Sequence, residues 1–187
     1  NMTKLPTKGQ LLVAEPSVIR DVSFTRSVIL LADHNEEGSV GFILNKPLDV
    51  TLPDLIEGME ECEIPIYNGG PVEQENLYFI HTAPELIEGS LEISSGIYWG
   101  GDFQRAVDLI LAKEISCDNI KFFLGYSGWG SKQLDQEISE HSWVITNNDL
   151  CKELLKSDHL ALWSDKLREL GGSYALWSNA PANPQYN

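Results

Sequence analysis

Apolar positions along the chain fall into short runs, and two of these lie back to back. Val28-Ile29-Leu30-Leu31-Ala32 is unbroken and rich in β-formers, the pattern of a strand buried on both faces. The polar stretch His34-Asn35-Glu36-Glu37-Gly38 predicts a five-residue hairpin connection in which Gly38 takes a positive φ. Val40, Phe42 and Leu44 then alternate with Ser39, Gly41 and Ile43, a second strand that Lys46-Pro47 ends. The pair predicts a doubly covered hairpin at the centre of a sheet, with the other segments layered around it.

Gln10 to Ala14 reads as an earlier strand. Thr51, with Asp54 three residues on and Pro53 between, predicts a short capped helix that stops at Gly58. Ile64 to Tyr67 reads as a brief strand near an edge because of Pro65. Asn68 to Pro71 is a loop, Leu77 to His81 a strand, and Leu91 to Ile93 with Gly96 to Trp99 a hairpin. Asp102 then caps a helix that puts Phe103, Ala106, Val107, Ile110 and Leu111 on one face. Ile120 to Leu124 is the last strong strand, followed by GYSGWG as a turn into a helix from Ser131 to about Ser139. A short strand, Trp143 to Ile145, precedes helices over Asn148 to Leu155 and Asp158 to Leu170, with Gly171-Gly172 closing the second. The tail is irregular after Trp177. With no repeat, low-complexity tract or linker, the expectation is one mixed α and β domain over residues 3–187.

Composition narrows the function. Thirteen Lys and Arg against 28 Asp and Glu leave a formal charge of −15, which repels a phosphate backbone and disfavours direct DNA binding by an isolated subunit. The apolar runs are far shorter than the roughly 20 residues a membrane helix needs, and MTKLPTKGQLLVAE has no apolar stretch of signal-peptide length. Cys62, Cys117 and Cys151 are odd in number and show no CxxC spacing, which argues against a disulfide framework or a zinc site. A reduced, cytoplasmic protein without metal or other cofactor is expected.

Some residues could carry chemistry. Gly125-Tyr126-Ser127-Gly128-Trp129 sits in the strand-to-helix context of a serine nucleophile, but Trp129 stands where GxSxG needs glycine. His81 and His141 qualify as its base by residue type only. The preferred account is that the glycines permit a tight turn and Trp129 packs in the core. Backbone N–H groups at the Ser131 helix start, beside Gly128 and Gly130, could hold a small anion. Asn45-Lys46-Pro47, Gly69-Gly70-Pro71 and His81 could line a pocket, but the preferred account is that Asn45 satisfies turn backbone groups and the glycines serve conformation. His34 at the hairpin bend lacks a second metal ligand at suitable spacing. Cys151 near a helix start reads as a buried, inert thiol.

RSVILLADHNEEGSVGFILNKPL, YNGGPV, LYFIHT, GYSGWGSKQLDQE and the terminal N-P-x-x-N of Asn183 to Asn187 together resemble the YqgE/AlgH family. The resemblance implies a bacterial, cytoplasmic α+β protein with a bifurcated mixed β-sheet, part of it curled into a small barrel and surrounded by helices. It also implies a transcriptional regulator with no demonstrated reaction. The family pattern adds Arg26 and His34 to a candidate ligand-binding set of Arg26, His34, Asn45, Lys46, Gly69, Gly70, His81, Gly125, Ser127 and Trp129, none of them established as catalytic. Alanine often occupies the Ser127 position in that pattern, which weakens the serine-enzyme alternative further. The favoured expectation is a non-enzymatic regulatory protein acting through a protein partner. The alternative is a small-molecule- or anion-binding protein, or a hydrolase-like enzyme, built on those segments.

Overall fold

The computed structural model describes residues 5–17, 22–156 and 160–179. The first strand, β1 (Leu11–Ala14), pairs antiparallel with β2 (Val28–Asn35), which turns back into β3 (Gly38–Ile43). Val28, Leu30 and Ala32 enter one core while Ile29 and Leu31 enter another, and none is more than 2% exposed. A strand covered on both faces needs no polar positions, which is why the run is unbroken. The hairpin is tighter than its sequence suggests. Its ladder continues to the pair Asn35–Gly38, so only Glu36 and Glu37 turn, and His34 is a strand residue.

Lys46-Pro47 does end the second strand, but Pro47 also opens β4 (Pro47–Thr51), an element the hydrophobic pattern concealed. β4 leads into the short helix α1 (Leu52–Leu55), where Asp54 Oδ2 accepts the Thr51 backbone N–H at 2.8 Å. The next strand, β5 (Pro65–Asn68), is not at an edge: β4 flanks it antiparallel, and the later β9 (Ile120–Gly130) flanks it in parallel. Proline is tolerated because it is the first strand residue. β6 (Val72–His81) is longer than expected, since its first half is mostly polar and exposed. β7 (Leu91–Ser94) and β8 (Ile97–Trp99) form the expected hairpin.

Helix α2 (Phe103–Leu111) is capped by Asp102, which accepts the Arg105 N–H at 3.2 Å. Ala106, Val107 and Ile110 are buried as predicted. Leu111 is instead 47% exposed and Leu109 fully buried, because the chain after the helix folds back over Leu109, whose carbonyl accepts the Glu114 N–H at 2.9 Å.

β9 is the axis of the fold. Its 11 residues run straight through GYSGWG, so the expected strand-to-helix turn does not exist. β6 takes one side of β9, while the other side is shared: Phe122 to Leu124 pair with β5, and Ser127 to Gly130 pair with β3. The sheet therefore forks beside Gly125. One branch carries β5 and β4; the other carries β3, β2, β1 and β10 (Trp143–Thr146). This is the bifurcated mixed sheet of an α+β fold. It curls until Ile93 and Ile97 pack with Val13, Leu30 and Phe42, yet its path ends at β10 and β7, so the barrel-like part stays open.

Helices cover the faces. α2 lies over β5, β6 and β9, while α3 (Gln133–Ser139) lies over β1 to β3 and starts two residues later than Ser131. α4 (Leu162–Leu170) closes the curl with Leu162, Trp163 and Leu167, and Trp163 Nε1 donates to the Ala14 carbonyl at 3.1 Å. In place of a helix over Asn148 to Leu155 there is a 3-10 segment, Cys151–Lys156, on which Cys151 is exposed and not buried. Ser173–Trp177 forms a further short helix, α5. The expected helix start at Asp158 and the Asn183 to Asn187 motif lie outside the described residues.

Candidate functional site

The sheet fork gathers seven of the ten candidate residues, and it uses them to hold backbone. Asn45 Oδ1 accepts the Val28 N–H at 2.9 Å and its Nδ2 donates to the Arg26 carbonyl at 2.8 Å, which ties the end of β3 to the start of β2. Lys46 Nζ donates to the Thr25 carbonyl, and burial together with neighbouring Arg26 lowers its pKa. The Arg26 guanidinium lies 4.6 Å above the Trp163 ring. The Gly69 carbonyl accepts both the Ile43 N–H and the Ser127 hydroxyl at 3.0 Å, and Ser127 is fully buried. A Cβ on Gly69 would stand 2.3 Å from the Gly125 carbonyl oxygen, so these glycines serve close backbone approach. At the fork the Ser127 hydroxyl is thus buried and spent on backbone, donated to the Gly69 carbonyl.

His81, His34 and Trp129 lie elsewhere. His81 is fully buried. Its Nδ1 accepts the Ala83 N–H at 3.1 Å, so Nε2 carries the proton and faces the Gly100 carbonyl at 2.9 Å. Burial lowers its pKa, which keeps the imidazole neutral. Trp129 donates its indole N–H to Glu137 Oε1 at 3.1 Å, and Trp143 donates to the same oxygen at 2.9 Å. The anion site expected at the following helix is also filled from within, because Gln133 Oε1 accepts the Gly130 N–H at 2.9 Å.

His34 takes part in a serine–histidine–acid order that sequence reading missed. Ser39 Oγ lies 2.6 Å from His34 Nδ1, while Asp135 Oδ1 lies 4.0 Å from His34 Nε2. The second distance is too long for a hydrogen bond. Ser39 also sits within β3 with ladder partners His34 and Trp129 on either side.

A different place has the properties of a binding site. At the starts of the parallel strands β5 and β9, between the end of α2 and the 3-10 segment, lies a cavity of about 570 Å³. Ile64, Ile110, Ile115, Ile120 and Leu155 supply its apolar wall, and Lys121 reaches it from the inner face of β9. Lys121 is only 4% exposed. Its ammonium lies 4.0 Å from the centre of the Tyr67 ring, and among the described residues it makes neither a hydrogen bond nor an ion pair. Burial pushes its pKa down to about 8. A concave, largely apolar cavity with one buried charge is the ordinary form of a small-molecule site.

The sequence model of the family described as AlgH-like matches residues 11–175. The chain belongs to the AlgH-like family. A UPF0301 protein of Bacteroides fragilis is 42% identical over 184 residues, 98% of this chain and 92% of that one. A UPF0301 protein of Cytophaga hutchinsonii is 38% identical over 182 residues, 97% and 99% of the two chains. The solution structure of the AlgH protein of Pseudomonas aeruginosa superposes with a TM-score of 0.72 at 25% identity, covering 97% of this chain and 98% of that one. Protein DIP2367 of Corynebacterium diphtheriae shares the fold with a TM-score of 0.78 at 23% identity, over 96% and 95% of the chains.

None of these AlgH-like names states a reaction, and none of the ten candidate residues of this chain lines the Lys121 cavity. The missed residue did leave a signal: a lysine in the middle of Ile120-Lys121-Phe122-Phe123-Leu124, an otherwise apolar strand. A charge in a doubly covered strand needs a partner or a cavity. No described helix is long and apolar enough to cross a membrane, and no group of three or more His, Cys, Asp or Glu among the described residues could hold a metal ion.

Proposed function

We propose that this AlgH-like chain is a non-catalytic regulator that takes a small molecule into the Lys121 cavity and relays its presence to a protein partner, with transcription as the regulated process. Lys121 carries the proposal: a buried ammonium without an acidic partner among the described residues, at the wall of a cavity large enough for a metabolite. Relay through a protein is favoured over direct DNA contact because a chain with a formal charge of −15 is repelled by phosphates. The cytoplasm is the proposed compartment; Cys62, Cys117 and Cys151 are all free thiols, as a reducing environment keeps them.

A thermal-shift screen of metabolites tests the role. The expected result is a set of compounds that raise Tm in the wild type and lose their effect in Pro65→Trp, which places bulk at the exposed Pro65 on the cavity wall. Stabilisers indifferent to Pro65→Trp would move the site elsewhere. Conversion of a bound compound into product would end the non-catalytic assignment.

A further inference from the structure

The Lys121 cavity combines three features that together specify a class of ligand. Its walls are apolar, from Ile64, Ile110, Ile115, Ile120 and Leu155. Its one deeply buried charge is a cation whose neighbour is the Tyr67 π-face instead of a carboxylate. Every charged residue at the rim is exposed, with Glu61, Glu63 and Asp118 opposite Lys113 and Lys156. Among the described residues the rim thus balances, three acids against two lysines beside the buried one, and its charges are screened by water and salt. Lys156 is moreover engaged with Glu153 at 3.3 Å. Inside, screening is weak, and a π-face is a poorer partner for an ammonium than an anion is.

Granting the ligand-binding role proposed above, on which this inference rests, we infer that the cavity takes a small apolar molecule bearing a single anionic head, with the anion on Lys121 Nζ and the body against the isoleucine wall. The anionic head completes the buried cation, and the apolar body displaces water from a surface that water solvates poorly. A neutral apolar molecule would fill the wall and leave the ammonium without its counter-charge. A hydrophilic dianion would bring a second charge into a space that offers one partner.

Titration calorimetry with decanoate and its uncharged counterpart decanol separates these cases, using the full chain, Lys121→Met and the rim variant Lys156→Gln. Decanoate is expected to bind one per chain, at least tenfold tighter than decanol. Lys121→Met should weaken decanoate at least tenfold and leave decanol within about twofold, because it removes the charge and keeps the volume. Lys156→Gln should change neither by more than about twofold. Thermal unfolding of each variant shows that it is folded. Equal affinity for decanol and decanoate, or decanoate binding unaltered in folded Lys121→Met, would overturn the anionic class while leaving a ligand site in place. Heats of simple dilution with both probes would overturn the inference, whereas the ligand-binding role itself stands or falls on the metabolite screen.

Discussion

The Lys121 ammonium and the Tyr67 ring face each other at 4.0 Å between two neighbouring parallel strands, β9 and β5. The contact softens the burial of the charge without abolishing its cost, since the pKa of Lys121 is still pushed from 10.5 down to about 8. Between those values the unfolded chain holds a proton that the folded chain has released, so stability rises with pH across the window. Below about pH 8 both states are protonated and the full penalty is present. Lys121→Met is therefore expected to be more stable than wild type at neutral pH by on the order of 3 kcal/mol. The gap should close as pH approaches 10.5. The rim groups Glu61, Glu63, Asp118, Lys113 and Lys156 are common to both proteins and cancel in the difference. Denaturant unfolding at several pH values checks this; a gap that does not narrow would show that Lys121 is not held as described.

Glu137 accepts the indole N–H groups of Trp129 and Trp143 on one oxygen and the Gln133 amide on the other, at 2.9 Å. Glu137→Ala would remove the carboxylate acceptor that two buried indole N–H groups share. A loss of about 2–6 kcal/mol is expected in urea unfolding, at roughly 1–3 kcal/mol per donor that loses this acceptor, accompanied by altered tryptophan fluorescence. A loss below about 1 kcal/mol would mean that water replaces the carboxylate.

Gly70 has φ 152°, and a Cβ there would lie 2.2 Å from the Tyr126 backbone, in the fork itself. Gly58 also has positive φ, 87°, but faces open space. Gly58→Ala should cost only about 1–2 kcal/mol, the left-handed penalty, while Gly70→Ala should exceed about 4 kcal/mol or fail to fold. Comparable melting temperatures for the two variants would refute the close approach.

Ser127 donates its buried hydroxyl to the Gly69 carbonyl at 3.0 Å. Ser127→Ala should cost about 1 kcal/mol, because that carbonyl keeps the Ile43 N–H. Wild type should also resist a fluorophosphonate probe. Labelling at Ser127 would revive the hydrolase alternative.

The elements legible in the sequence are those whose signal is local. An unbroken apolar run marked β2, strict alternation marked β3, and Asp102 ahead of a 3.6-residue period marked α2; the linear motifs were enough to suggest the family. Asn45, Gly69 and Gly70 were legible in their ordinary roles too, because amides and glycines at strand ends usually serve the backbone.

Sequence by itself therefore determined which stretches are apolar on which period, and hence a central hairpin under helices. Tertiary structure alone decided that GYSGWG is strand, that β9 divides the sheet, and that Lys121 opens into a cavity. The physical reason is one of range. Periodicity reports whether a residue's own element has a covered face, but a cavity is the gap left where distant elements meet. The neighbours that leave Lys121 facing Tyr67, with no carboxylate among the described residues, come from β5, α2 and the 3-10 segment, and no window of sequence contains them all.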